Sequence, residues 1–131
     1  MITGIGTDLV EIARIEQLLT RRGESFIRRI LTDSERDECA RCDFPERFLA
    51  KRWAAKEAVV KAMGTGFTQG VSFQGIDIVH TDAGQPQVAL SGATRAHAER
   101  LGIERWSLSL SDERHYALAF AVAEGGGMAK L

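Results

Sequence analysis

Long apolar runs, an excess of one charge and a set of spaced cysteines are all missing from this sequence. No apolar segment approaches the ~20 residues a bilayer-spanning helix needs, and the opening MITGIGTDLVEI lacks a basic start followed by an apolar core. Seventeen basic side chains face eighteen acidic ones, for a formal charge of −1. There is thus no global field to attract nucleic acid or a membrane surface, and any electrostatic partner must be met by a local patch. Cys39 and Cys42 form a CARC spacing within a stretch that reads as helix. No second Cys or His pair lies nearby to complete a metal site, so both are expected to be reduced bystanders in a cytoplasmic protein. With no internal repeat and no low-complexity linker, residues 1–131 read as one domain, long enough to bury a core.

What is present alternates cleanly between helical and extended patterns. ITGIG reads as a short strand. Asp8 then stands where a helix N-cap would, with Glu11 as its capping-box partner and Leu9, Ile12, Ile15, Leu18 and Leu19 as the apolar stripe of a helix that Gly23 stops near Arg22. SFIRRIL predicts a short helix. Thr32 and Glu35 repeat the capping pattern ahead of a polar helix that fails near Pro45, and a long helix runs from about Glu46 to Met63. GIDIVHT and QPQVAL flank DAGQ as a hairpin, and SGATRAHAERLG predicts a helix capped by Ser91. WSLSLS and YALAFAVA alternate as two strands joined by DERH, the second with an alanine face narrow enough for a close-packed helix or another subunit. Hairpin-connected strands with helices gathered between them predict an α+β domain with a mainly antiparallel sheet.

On the long helix, Leu49, Trp53, Val60 and Met63 share a core stripe, while Glu57 and Lys61 project from its flank beside Ala50 and Ala54. Two readings of that pair stand open. As an i, i+4 salt bridge it is worth only a few tenths of a kcal/mol. As a functional pair, Lys61 beside the turn Gly64-Thr65-Gly66 suits a phosphate, because glycines let main-chain N–H groups approach an anion. GIGTDL fails as a dinucleotide fingerprint, since its third glycine is missing and Asp8 would repel a pyrophosphate unless a cation intervened. Asp8 is therefore either a plain N-cap or, with Glu57, a ligand of Mg²⁺, which takes one or two carboxylates, keeps waters and bridges to substrate phosphates. Between Ile12 and Leu31, five arginines stand against two glutamates. This is either a solvated face or a docking surface for an acidic protein.

Three segments in order, GIGTDLVEIARIE, RFLAKRWAAKEAVVKAMGTG and SLSDERHYALAFAV, closely resemble the holo-[acyl-carrier-protein] synthases, the small class of 4′-phosphopantetheinyl transferase, over nearly the whole chain and including that family's KEAxxKAxGxG core. The resemblance implies the 4′-phosphopantetheinyl transferase fold. It also implies Mg²⁺-dependent transfer of phosphopantetheine from coenzyme A to a serine of apo-acyl carrier protein, with release of adenosine 3′,5′-bisphosphate. On this chain it implies metal ligands at Asp8 and Glu57, a phosphate-contacting Lys61, and coenzyme A contacts at Gly64, Thr65 and Gly66 and at Arg47, Arg52 and Lys56. It further implies carrier docking through Arg14 and Arg21, and a homotrimer with active sites at subunit interfaces, with no nucleic acid or membrane partner. One departure stands out: where many members carry SxSH, this chain has Ser109-Leu110-Ser111-Asp112, leaving Asp112 or His115 to take that place. Two competing readings use the same residues: a coenzyme A or acidic-protein binding module, and a metal-dependent phosphohydrolase.

Overall fold

The computed structural model describes residues 1–126; residues 127–131, counted in the one-domain expectation, lie outside them. The order is β1 (Ile2–Glu11), α1 (Ile12–Arg22), α2 (Glu24–Ile30), α3 (Asp33–Ala40), α4 (Pro45–Met63), a 3₁₀ turn (Phe73–Gly75), β2 (Ile76–His80), β3 (Pro86–Leu90), α5 (Gly92–Arg100), β4 (Ile103–Asp112) and β5 (Tyr116–Gly125). Two antiparallel sheets form, a three-stranded one ordered β1-β5-β4 and the β2-β3 hairpin. The expected α+β class holds.

Strand β5 shows why the helices and sheet fit together. Its alternation sends Ala117, Ala119, Ala121 and Ala123 to one face, all fully buried, and Tyr116, Leu118 and Phe120 to the other, all exposed. Helix α4 packs on the alanine face and along β1. There Gly4 and Gly6 do what the alanines do on β5, but more severely. A Cβ at Gly4 would lie 2.0 Å from the Ala62 carbonyl oxygen, and one at Gly6 would lie 2.1 Å from the Ala58 carbonyl oxygen and 2.7 Å from the Ala62 nitrogen. These glycines serve close packing of helix on strand and do not cradle a ligand.

The first helix begins later than its sequence pattern suggests. Asp8 is not an N-cap: β1 continues to Glu11, with Asp8 opposite Ala119 and Leu9 opposite Leu118, and Glu11 occupies the cap position without a side-chain cap bond. Leu9 accordingly leaves the helical stripe and is exposed on the sheet. The period-2 series Gly4, Gly6, Asp8, Val10 matches the pleat, and nine residues paired with β5 outweigh a local capping motif. At α3 the capping box does form, with Glu35 N–H donating to Thr32 Oγ1 at 3.4 Å and Thr32 N–H to Glu35 Oε1 at 2.9 Å. Ser91 stands at the N-cap of α5, but its hydroxyl makes no cap bond. Among the described residues no helix is long and apolar enough to cross a membrane.

Because the obstruction at Gly6 is helix backbone, Gly6→Ala should cost about 3 kcal/mol or more in urea denaturation. Val79→Ala, exposed on β2 away from that contact, should cost far less. Equal costs would show that α4 can slide away from β1 freely.

Candidate active site

Asp8 is the first residue beyond Gly6 on the helix-facing side of β1, and it arrives beside Lys61 and Glu57. Lys61 Nζ donates to Asp8 Oδ1 at 3.1 Å and to the Thr7 carbonyl at 3.0 Å, with its side chain 54% exposed. The amine therefore turns to the strand and not to Glu57, and the helical salt-bridge reading gives way to a contact between residues 53 positions apart. Asp8 Oδ2 is buried and, among the described residues, has no hydrogen-bond partner. Burial raises the Asp8 pKa above its ordinary value, opposed by the Lys61 hydrogen bond and by the Lys61 and Arg14 charges. Burial also raises the Glu57 pKa, with repulsion from Asp8 adding to the rise and Lys61 opposing it.

Two carboxylates that repel each other, one with an orphaned oxygen, form a donor set that suits a hard divalent cation such as Mg²⁺. Among the described residues no group of three or more Asp, Glu, His or Cys side chains assembles. The pair would leave most of the coordination shell to water and to a ligand, which is the Mg²⁺ habit. A cavity of about 390 Å³ opens next to Asp8, walled by Ile15, Trp53 and Tyr116 and bordered by Glu11 and Arg14. The basic face of α1 adjoins the carboxylates through Arg14, and Arg14, Arg21, Arg22, Arg28 and Arg29 are all exposed.

At the end of α4, Gly64 takes the left-handed conformation at φ 81° and its N–H caps the helix on the Val60 and Lys61 carbonyls. That N–H is spent. Those of Thr65 and Gly66, in an open turn with Gly66 at φ 64°, bond no protein atom among the described residues and stay available to an anion.

Two other expected phosphate contacts are corrected. Lys56 is fully buried, and its ammonium donates to Glu35 Oε1 at 2.6 Å, the Ile30 carbonyl at 2.7 Å and the Phe73 carbonyl at 3.1 Å, which uses every proton it has. Arg52 is buried between Glu35 at 3.4 Å and Glu38 at 3.5 Å, with its guanidinium 4.4 Å over the Phe48 ring. Neither faces solvent. Arg47 is half-exposed and clamps the β4–β5 turn, bonding Asp112 Oδ2 at 3.1 Å and the carbonyls of Glu113 and Arg114 at 3.0 and 2.8 Å. It lies fourteen residues before Lys61, roughly 20 Å along the helix, too far to share a phosphate with it in one chain. Asp112 also meets Lys51 at 3.8 Å, while His115 is exposed in the turn. Cys39 and Cys42 are free thiols, the buried Cys39 pushed up to about 11, chiefly by burial.

Sequence reasoning missed the hub at Glu35, read only as a capping-box residue, and the aromatic series Phe26, Trp53, Phe73 and Phe67, whose neighbouring rings lie 6.0, 5.4 and 4.5 Å apart. The aromatic spacing carries no period that would reveal it, because its members come from four separate elements.

Comparison with known proteins points in one direction. The family model of the 4′-phosphopantetheinyl transferase superfamily matches residues 4–121. A holo-[acyl-carrier-protein] synthase of Hydrogenovibrio crunogenus is 60% identical over 124 residues, covering 95% of this chain and 98% of that protein. The crystal structure of the Neisseria meningitidis holo-[acyl-carrier-protein] synthase superposes with a TM-score of 0.90 at 48% identity, covering 95% of this chain and 99% of that one. The Helicobacter pylori holo-[acyl-carrier-protein] synthase in complex with coenzyme A gives 0.81 at 32% identity, covering 92% and 99%.

The raised carboxyls make a stability prediction whose sign is fixed. A carboxyl with a raised folded pKa favours the fold while protonated, so stability falls as pH rises from the ordinary values of 3.8 and 4.5 through the raised ones. Metal-free protein should lose stability across that window, and saturating Mg²⁺ at neutral pH should raise the melting temperature by roughly 5 °C. In Asp8→Asn/Glu57→Gln both effects should vanish. A variant that keeps the Mg²⁺ shift would place the ion elsewhere.

Proposed function

The chain belongs to the 4′-phosphopantetheinyl transferase superfamily and transfers the 4′-phosphopantetheine group of coenzyme A to acyl carrier protein; we propose that it does so with Mg²⁺ held by Asp8 and Glu57. The observation that carries this assignment is the buried Oδ2 of Asp8, partnerless among the described residues, next to a second carboxylate whose pKa is raised by burial and by Asp8. When bound, the ion would neutralise phosphate oxygens and offset charge gathering on the departing adenosine 3′,5′-bisphosphate.

The chain's own groups do the rest. Lys61, held at the rim by Thr7 and Asp8, supplies a mobile positive charge to a phosphate. Thr65 and Gly66, in the turn that follows α4, offer main-chain donors. The attacking serine needs a proton acceptor, a part that Glu57 or a water held beside it would take. Docking of an acidic carrier falls to α1, where Arg14 joins the basic face to the cavity beside Asp8.

We read the chain as one catalytic domain that forms a homotrimer with active sites at subunit interfaces. Ile5, Leu9, Leu118 and Phe120 form an exposed apolar face across β1 and β5, an unusual expanse for a lone subunit. Leu9 of that face and the neighbouring Tyr116 also line the cavity beside Asp8, so a neighbour covering the face would border the site as well. Arg47, too distant from Lys61 within its own chain, could then serve a neighbour's coenzyme A. The free thiols accord with a cytoplasmic enzyme.

The test is the intact mass of an apo-acyl carrier protein after incubation with this protein, coenzyme A and Mg²⁺, with EDTA in a parallel sample. A phosphopantetheine adduct that EDTA abolishes is expected, and its loss in Asp8→Ala and Glu57→Ala. Undiminished adduct in both variants would refute the metal assignment; coenzyme A cleaved without any carrier would indicate a hydrolase. Reversing Arg14 and Arg21 to Glu should raise KM for the carrier at least roughly tenfold while leaving coenzyme A binding within about twofold. Salt should depress wild-type turnover, and salt-insensitive turnover would contradict electrostatic docking. Phe120→Glu should yield monomers in sedimentation; an intact trimer would move the interface to another face.

A further inference from the structure

We propose that Lys56 is a positioning residue that sets the shape of the Gly64–Phe73 loop, and through it the affinity for coenzyme A; this rests on the transferase reading above. Lys56 and Glu57 are neighbours in sequence but about 100° apart around α4, so they face different layers. Glu57 faces Asp8, whereas Lys56 points into the seam between α2, α3 and the turn before β2, where Glu35, Ile30 and Phe73 take its three protons. Glu35 is itself fully occupied, accepting from Thr32 N–H at 2.9 Å and Ile78 N–H at 2.9 Å while facing Arg52.

The loop that carries Thr65 and Gly66 is thereby fastened to α4 at both ends. Gly64 is tied by its cap bonds to the Val60 and Lys61 carbonyls, and Phe73 by its carbonyl to Lys56. Between those ties, the Phe73 ring rests 5.4 Å from Trp53 and 4.5 Å from Phe67, the residue directly after Gly66. Moving the Phe73 carbonyl would move Phe67 and the turn with it.

Stability alone does not account for this arrangement. A buried ion pair is often matched or bettered by apolar side chains of similar size, because desolvation offsets the attraction. What an apolar pair lacks is direction: only a buried cation with three protons can hold two carbonyls and a carboxylate at fixed angles.

The experiment compares wild type with Lys56→Met, Lys56→Met/Glu35→Gln and Phe73→Leu, reading melting temperature, calorimetric coenzyme A binding without carrier, and steady-state kinetics for both substrates. Lys56→Met leaves Arg52 as the one cation beside Glu35 and strips the Ile30 and Phe73 carbonyls of their donor, so it should melt well below wild type. The double variant replaces the Lys56–Glu35 ion pair by neutral groups while Arg52 keeps Glu38, and should recover part of the loss, yet its Kd and KM for coenzyme A should stay raised by about tenfold with carrier KM within about twofold. Phe73→Leu keeps the carbonyl and the ion pair but drops the ring contacts; it should raise coenzyme A KM by roughly threefold or more. If Lys56→Met does not fold, the other two variants carry the test. Coenzyme A affinity equal to wild type in the folded double variant, or an equal rise in both Michaelis constants, would overturn the proposal. Wild type that neither binds coenzyme A nor modifies a carrier would instead refute the transferase reading.

Discussion

Helix α4 lies so close to β1 that the carbonyls of Ala58 and Ala62 occupy the space a side chain at Gly4 or Gly6 would need. That contact requires the small residues on both sides of it: two glycines on β1, four alanines on β5, and Ala50, Ala54, Ala58 and Ala62 on the helix. Its consequence reaches beyond packing. Asp8 is the next residue on the same face of β1, and because the strand and helix already touch, its short side chain meets Lys61 and is close enough to Glu57 to raise its pKa. A larger separation would have left each acid to water.

The other side of α4 is held by charge. Burying Glu35, Lys56 and Arg52 together is costly unless nearly every donor and acceptor is matched, and removing one partner from such a pair typically costs about 3–5 kcal/mol. Here Lys56 and Glu35 are matched throughout, while Arg52 donates to Glu38 and its Nε lies 3.4 Å from Glu35 in an ion pair without hydrogen-bond geometry. Rotation of α4 is thus restrained on both faces, by backbone contact on one and by directed bonds on the other. Glu57 and Lys61 emerge between them, which gives the proposed metal and phosphate groups a rigid support.

The sequence was most readable where local rules and tertiary packing agree. The alanine alternation of β5, the Thr32–Glu35 capping box and the Gly23 stop each foretold the element in which they stand. It misled where two local codes overlap: Asp8-Leu9-Val10-Glu11 satisfies both a capping box and a strand, and only pairing with β5, more than a hundred residues away, decides between them. Lys56 and Arg52 were misread for a related reason. A charged side chain on a helix is ordinarily solvated, and nothing local in AKRWAAKEA announces that Glu35 waits in the core to receive both. The motif resemblance pointed to Asp8, Glu57 and Lys61, which the fold brings together, but it did not separate residues that face the proposed site from residues that hold the scaffold.

Electron paramagnetic resonance of Mn²⁺ titrated into the protein with coenzyme A present would show whether Asp8 and Glu57 hold one cation between them. A single tightly bound ion per chain is expected in wild type, and its loss in Asp8→Asn and in Glu57→Gln alike, because each carboxylate would supply part of one site. Undiminished binding in either variant would contradict the claim that the approach of β1 to α4 exists to bring those two acids to the same cation.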